Sequence, residues 1–153
     1  MFAVVRIHGR MHIDSRVQDT LKMMRLNTAN QCVILPETPD VRGMLQKTKD
    51  EVTWGEVTKE IVVKLLEKRL RAKGAEKRVD AKLLKQASGF DSFDALASAM
   101  MDGKTKLQRH ESLQATFRLT PPSGGLKSIR DHYPRGDVGY RGKEINKLVE
   151  RMI

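Results

Sequence analysis

Apolar and polar residues alternate along FAVVRIHG, residues 2–9, with the period of two that is typical of a β-strand. The odd-numbered positions form an apolar face: Ala3, Val5 and Ile7. The even-numbered positions form a second face, whose outer end carries basic side chains: Phe2, Val4, Arg6 and His8. We therefore expect a strand that buries its first face and presents Arg6 and His8 at the end of its second.

The following residues alternate between helical and strand patterns. The helical spacing of apolar residues in RVQDTLKMMRL predicts a helix capped by Asp14 or Ser15. The apolar run QCVILPE, residues 31–37, has the length of a strand, and the Thr-Pro pair after it places a cap before a proline at the first position of a second helix. EVTWGEV, residues 51–57, predicts a third strand because it alternates and is rich in β-branched residues. We expect its tryptophan, Trp54, to lie in the core.

The second half of the chain is predicted to be mainly helical. One helix runs from a Thr58 cap to Gly74, and two shorter helices follow, opened by Asp80 and Ser92 and stopped by Gly89 and Gly103. ATFRLT, residues 115–120, predicts a fourth strand, and GKEINKLVERM predicts a terminal helix. The fold class is therefore α+β. A β-α-β-α-β core at residues 1–57 carries an extension at residues 58–153, made of a helical segment and a basic loop, which packs on the core.

Residues 121–142, PPSGGLKSIRDHYPRGDVGYRG, form a segment that we call the glycine-rich loop. It is rich in glycine, proline and basic residues and has few apolar side chains to offset the entropy lost on ordering. We expect this loop to be mobile in the free protein and to become ordered on RNA, although predicted regular structure precedes and follows it.

The charge of the chain points to a polyanionic partner. It carries 29 Lys and Arg against 19 Asp and Glu, a net charge of +10. Residues 104–153 contribute eleven of these cations against five acids. A basic chain of this kind fits a nucleic acid or an anionic membrane surface ahead of an acidic small molecule. No run approaches the ~18 apolar residues of a membrane span, and the N-terminus does not resemble a signal peptide, so we expect no membrane partner.

Candidate catalytic and metal-binding residues are sparse. His8 and His12 have the spacing of paired zinc ligands on a helix, but His8 lies at a strand end and no cysteine or carboxylate completes a set. Cys32 is the one cysteine, which favours a reducing, cytoplasmic setting, and it lies in an apolar strand as a buried, inert thiol. We therefore expect no metal and no cofactor.

The glycine-rich loop permits two further interpretations. PPSGGLK has glycines and a lysine that suit a phosphate, but it departs from the nucleotide-binding patterns G-x-x-x-x-G-K-[ST] and G-x-G-x-x-G. The other interpretation is RNA contact, because cations for phosphates, glycines for close approach and tyrosine rings for stacking occur together there. The basic side chains in and beside the loop are Arg118, Lys127, Arg130, Arg135, Arg141 and Lys143, interleaved with Tyr133 and Tyr140.

The chain resembles the archaeal large-subunit ribosomal proteins of the L-thirty family, whose eukaryotic relatives are called L-seven. The resemblance runs nearly from end to end and is carried by FAVVRIHG, VQDTLKMMRL, QCVILPET, RGMLQKTKDEVTWGE and FRLTPPSGGLKSIRDHYPRGDVGYRGKEINKLVERM. It implies a ferredoxin-like core with a three-stranded sheet of order 3-1-2, and a place in the large subunit near the 5S ribosomal RNA. It also implies large-subunit ribosomal RNA and neighbouring ribosomal proteins as partners, with no small-molecule substrate.

We therefore interpret the chain as a structural ribosomal protein that bridges separate RNA segments. The residues expected to contact RNA are Arg6, His8, Arg10, Arg42, Arg118, Lys127, Arg130, His132, Arg135, Tyr140, Arg141 and Lys143. A nucleotide-dependent RNA-modifying enzyme that uses PPSGG as its phosphate loop is the alternative. A helical protein-interaction module at residues 80–103 is a third hypothesis, which is compatible with the first.

Overall fold

A computed structural model of the protein describes residues 1–11, 13–74 and 79–153. Within these ranges one mixed sheet holds five strands: β1 (Phe2–Arg6), β2 (Gln31–Leu35), β3 (Val52–Glu56), β4 (Phe117–Arg118) and β5 (Gly139–Tyr140). Their order is β4-β2-β1-β3-β5. The central three strands keep the order implied by the resemblance, with β1 antiparallel to both neighbours.

The expectation of a three-stranded sheet is wrong, because two short strands extend it at its edges. At one edge, β4 pairs antiparallel with β2, so that Arg118 lies opposite Gln31. At the other edge, β5 pairs parallel with β3, so that Tyr140 lies opposite Trp54. Each added strand has two residues. Of the strand predicted at residues 115–120 only β4 is paired in the sheet, whereas β5 was not predicted, because two residues are too few for a period-two pattern to be recognised.

The described helices are α1 (Ser15–Met23), α2 (Pro39–Lys47), α3 (Lys59–Arg69), α4 (Ala81–Ser88), α5 (Phe93–Met101) and α6 (Ile145–Met152), and short 3₁₀ helices lie at Leu107–Arg109 and Gly142–Glu144. Capping accounts for several of the starts. The Asp14 carboxylate accepts a hydrogen bond from the Arg16 amide at 2.7 Å, and the Ser92 hydroxyl accepts one from the Ala95 amide at 3.2 Å. None of these helices is long and apolar enough to cross a membrane.

The sequence pattern predicted that helix α3 ends at Gly74, but the helix ends at Arg69. Leu70 is extended and buried. Beyond it the backbone pairs with residues 112–114, where the Lys73 amide donates to the Ser112 carbonyl and the Gln114 amide donates to the Arg71 carbonyl, each at 2.9 Å. The helix stops because these residues exchange helical hydrogen bonds for a bridge to a distant segment.

Both faces of the sheet are covered. Phe2 and Val4 pack with Trp54 and with side chains of α1 and α2, so that Trp54 lies in the core as predicted. Ala3 and Val5 pack on the other face with side chains of α3, α5 and α6. The odd and even faces of β1 are therefore those read from the sequence, but all five of its residues are buried. The division of the chain at residue 57 stays a prediction.

Candidate nucleic-acid interface

Arg6 is buried, with a side chain that serves the fold. Only 1 % of the residue is exposed. Its guanidinium donates to three backbone carbonyls: Leu26 at 2.7 Å, His8 at 2.8 Å and Gly9. Burial lowers the pKa of this guanidinium, and the nearby Glu51 carboxylate partly offsets that effect. Arg6 thus ties the end of β1 to the loop after α1, and its contact with RNA stays a prediction.

Arg141 is also buried, at the end of β5. Its Nη2 donates to the Asp137 carboxylate at 2.8 Å and to the Asp137 carbonyl at 2.8 Å. Its Nε donates to the Thr53 hydroxyl at 2.9 Å, on β3. The guanidinium carbon lies 5.3 Å from the centre of the Tyr133 ring, within the range of a cation–π contact. The side chain therefore joins the glycine-rich loop to the sheet.

The glycine-rich loop makes extensive contacts with the rest of the fold. Arg151 of α6 donates from Nε to the Ser123 carbonyl at 2.7 Å and from Nη2 to the Gly125 carbonyl at 2.7 Å. Farther along, the Tyr133 amide donates to the Val138 carbonyl at 2.9 Å, and Val138 is buried. These contacts hold the segment against the fold, which its composition did not indicate; its mobility in the free protein stays a prediction.

Two backbone amides in the first half of the loop donate to protein carbonyls. The Ser123 amide donates to the Arg151 carbonyl at 3.1 Å, and the Gly125 amide donates to the Pro122 carbonyl at 2.9 Å. A phosphate loop needs its amides directed at the ligand. This geometry disfavours the nucleotide-site interpretation of PPSGG.

A basic groove lies beside the β4 edge of the sheet. Its volume is about 850 Å³, and four exposed cations line it: Arg10, Arg25, Lys73 and Arg118. Asn27, Thr28 and Gln31 supply polar groups, and Glu111 is the acidic residue among the lining side chains described. We call this feature the β4-edge groove.

Local backbone structure presents two of these cations. Arg25 adopts φ 63° directly after α1, and the Leu26 amide returns to the Leu21 carbonyl at 2.9 Å, which is a common way to end a helix. Arg10 is oriented by a hydrogen bond from its Nε to the Asn27 carbonyl at 2.7 Å. Arg25 and Lys73 were not predicted from the sequence, because both occur in helix-like runs whose basic residues are expected to face solvent.

The second cationic surface is the part of the glycine-rich loop that lies near β5. Lys127, Arg130 and Arg135 are exposed there, and Lys143 is exposed just beyond β5. His132 anchors this part, since its Nε2 lies 2.9 Å from the Asp50 carboxylate in the turn before β3. We call these four cations the loop surface.

The remaining predicted contacts have acidic partners. Arg42 pairs with Glu37, and this contact raises the pKa of the guanidinium and lowers that of the carboxyl. The Tyr140 hydroxyl donates to Glu56, which raises the pKa of Tyr140. His8 is half-buried, with Nδ1 2.8 Å from the Asp50 carbonyl and 3.3 Å from the Glu51 carboxylate. These side chains are less available to phosphates than the two cationic surfaces are.

The other candidate chemistry finds no support in the described residues. His12 lies outside them, and within them no group of three or more His, Cys, Asp or Glu side chains is placed to hold a metal. Cys32 is buried, and burial raises the pKa of its thiol to about 12, which fits the inert role expected.

Comparison with known proteins agrees with the resemblance seen in the sequence. The family model described as ribosomal protein L30p/L7e matches residues 2–52. Proteins named large ribosomal subunit protein uL30 match from end to end. That of Archaeoglobus fulgidus is 43 % identical over 152 residues, covering 99 % of both chains, and that of Thermoplasma acidophilum is 45 % identical, covering 100 % of this chain and 93 % of the relative. The relative from Methanosphaera stadtmanae is 41 % identical, with both chains covered completely. The chain therefore belongs to the ribosomal protein L30p/L7e family, a family of structural ribosomal proteins and not of enzymes.

Proposed function

We propose that the protein is a structural component of the large ribosomal subunit in the cytoplasm, where it binds large-subunit ribosomal RNA and holds separate RNA segments in a fixed arrangement. Neighbouring ribosomal proteins and a position near the 5S ribosomal RNA belong to the same proposal. It is supported by membership of the family and by the net charge of +10. The protein performs no reaction in this role.

The observation that carries the proposal is the separation of the two cationic surfaces. The β4-edge groove and the loop surface lie towards opposite edges of the sheet, since β4 and β5 are its outermost strands. Four inter-strand spacings of about 4.8 Å place these edges roughly 19 Å apart. Two RNA backbones are therefore able to bind at once without competing for the same side chains.

Phosphate contact is the interaction that these surfaces suit best. Arginine and lysine heads that face solvent neutralise phosphates and release counterions, which gives affinity without reading the sequence of bases. The exposed predicted residues take this role: Arg10, Arg118, Lys127, Arg130, Arg135 and Lys143, with Arg42, His132 and Tyr140 at the margins. Arg6 and Arg141 support these surfaces from within the fold.

The salt dependence of binding tests the phosphate contacts. The probe is large-subunit ribosomal RNA of Archaeoglobus fulgidus transcribed in vitro, titrated with the protein at several salt concentrations. The logarithm of the affinity should fall linearly with the logarithm of salt, with a slope that reflects several contacts. A nearly flat slope would exclude phosphate neutralisation as the main source of affinity.

Charge reversal tests the use of two surfaces. Arg10→Glu/Arg118→Glu should remove the chemical footprint on one RNA segment, and Arg130→Glu/Arg135→Glu should remove it on another. Lys85→Glu/Lys104→Glu is the matched control, because these exposed lysines of α4 and the turn after α5 lie outside both surfaces. Loss of the same footprint in both test variants would contradict bridging.

A further inference from the structure

Asp137 is a buried acid in the most basic part of the chain. The residue is 7 % exposed. One carboxylate oxygen, Oδ1, accepts from Arg141 Nη2 at 2.8 Å, and the other, Oδ2, accepts from the Lys127 amide at 2.5 Å. The Asp137 amide also donates to the Ser128 carbonyl at 2.8 Å. Burying a carboxylate is costly unless it is paired and hydrogen-bonded, and here both conditions are met.

These bonds close residues 127–137 into a compact loop whose ends meet, the arrangement of an Ω-loop. Within it the Gly136 amide donates to the His132 carbonyl at 3.0 Å. Gly136 is packed so closely that an added Cβ would lie 2.2 Å from the Asp131 carbonyl oxygen. The closed loop presents the exposed cations Lys127, Arg130 and Arg135.

The carboxylate also fixes this loop to the sheet. Arg141 donates from Nη2 to the Asp137 carboxylate and from Nε to the Thr53 hydroxyl of β3. Thr53 in turn donates from its hydroxyl to the Gly139 carbonyl at 3.0 Å. The chain of contacts from Lys127 through Asp137 and Arg141 to Thr53 places the loop cations relative to β3.

We infer that Asp137 is a positioning residue for RNA contact: its carboxylate holds residues 127–137 folded on the sheet before RNA arrives, and so sets where the loop cations meet phosphates. The RNA part of this inference rests on the proposed function. A preformed loop binds more tightly than a mobile one because its ordering entropy is not lost on association. The charge of Asp137 has the opposite effect on affinity, since a negative charge next to an RNA site weakens the attraction to phosphates.

The effect of charge and the effect of positioning therefore change the RNA affinity in opposite directions, so a substitution at Asp137 distinguishes them. Asp137→Asn removes a negative charge, which alone should strengthen RNA binding. If Asp137 positions the loop, the variant should instead bind about tenfold more weakly, through lost preorganisation. Asp131→Asn is the matched control, with the same change of charge in the same loop at an exposed side chain. It should bind as well as the wild type or slightly better.

A second variant removes the contact without changing the net charge. It is also needed because Asp137→Asn alone leaves the Arg141 guanidinium unpaired, which is able to unfold the protein. Asp137→Asn/Arg141→Gln keeps the net charge of +10 and removes the buried ion pair. It should also bind more weakly than the wild type. Protection of the Val4 and Val33 amides, in the centre of the sheet, verifies that each variant remains folded.

The experiment combines amide hydrogen exchange on the free proteins with titration of the Archaeoglobus fulgidus transcript in excess poly(U). Faster exchange at the Lys127 and Tyr133 amides in both Asp137 variants, together with weaker binding, supports the inference. Unchanged exchange in the loop, or an affinity that rises as in Asp131→Asn, overturns it. Wild-type binding of the transcript no tighter than of poly(U) would overturn the proposed function, and the exchange data would still decide whether Asp137 orders the loop.

Discussion

Arg6 and Arg141 differ from the other predicted contacts because their guanidinium groups face protein carbonyls and hydroxyls rather than solvent. Strand alternation placed Arg6 on the correct face of β1. It did not predict burial, because the acceptors of Arg6 come from the residues after β1 and from the loop after α1, which only the folded chain brings together. A planar group with five donors suits such a site.

The first prediction concerns Arg6. Arg6→Ala should lower the free energy of unfolding by about 3 kcal/mol, since it leaves the buried Leu26 carbonyl without its donor and removes packed volume. Denaturant unfolding measures the loss. Arg10→Ala is the control: this exposed side chain should change stability by about 0.5 kcal/mol or less. Equal stability of the two variants would contradict a structural role for Arg6.

The second prediction follows from the Cys32 thiol, whose pKa burial raises from 9.0 to about 12, although a hydrogen bond with the Val4 backbone lowers it in part. Below pH 9 the thiol is neutral in both states and has no effect. Between pH 9 and 12 the unfolded chain releases this proton and the folded chain retains it, so stability falls as pH rises.

The measurement is the difference in unfolding free energy between the wild type and Cys32→Ala, followed from pH 8 to 11. The titration of other groups cancels in this difference. The wild type should lose up to about 1.4 kcal/mol per pH unit relative to the variant above pH 9. A difference that does not change with pH would show that the thiol is not held neutral.

At the scale of elements, the pattern of the chain predicted the long strands and most of the helices because their apolar periods and caps are local. The starts of α2 and α5 follow Thr38 and Ser92, as the sequence indicated. The pattern at residues 115–120 indicated β4 but overstated its length, and it gave no sign of β5 or of the early end of α3, because all three depend on partners far along the chain. Composition did not indicate the contacts of the glycine-rich loop, which are hydrogen bonds, one buried ion pair and the buried side chain of Val138; the mobility of the loop in the free protein stays a prediction.

The third prediction tests the packing at the β5 edge. An added Cβ at Gly55 would lie 1.9 Å from the Gly142 carbonyl oxygen, so Gly55→Ala must push β3 away from the 3₁₀ helix at Gly142–Glu144. We expect a loss of about 2–4 kcal/mol in the free energy of unfolding. Thermal and denaturant unfolding measure it.

Gly43→Ala is the matched control, within α2 and with no heavy atom within 4 Å of the added Cβ. It should stabilise the protein by about 0.5–1 kcal/mol, because alanine loses less backbone entropy in a helix. If Gly55→Ala were as stable as Gly43→Ala, the close approach of Gly55 to the Gly142 carbonyl would not be required for stability.

At the scale of the whole molecule, the second half of the chain completes the core of the first. The β-strands of residues 1–57 have one face covered by α1 and α2, whereas α3, α5 and α6 cover Ala3, Val5 and Ile7. A fragment of residues 1–57 would expose this second face to water, at a cost of about 25 cal/mol per Å² of apolar surface.

The fourth prediction is therefore that residues 1–57 do not fold alone. Far-ultraviolet circular dichroism and amide dispersion in an NMR spectrum should be those of an unfolded chain, whereas the 153-residue protein should give a cooperative unfolding transition. A folded fragment with native-like amide dispersion would establish residues 1–57 as an independent unit.

The central claim, that this chain is a structural protein of the large ribosomal subunit, is tested most directly by sedimentation of a lysate of the source cells on a sucrose gradient, with quantitative mass spectrometry of each fraction. We expect the protein to sediment with the large subunit, in a copy number equal to that of the other large-subunit proteins, and to be released as salt weakens its phosphate contacts. Recovery of most of the protein in the light fractions at low salt, away from the subunit, would contradict the account.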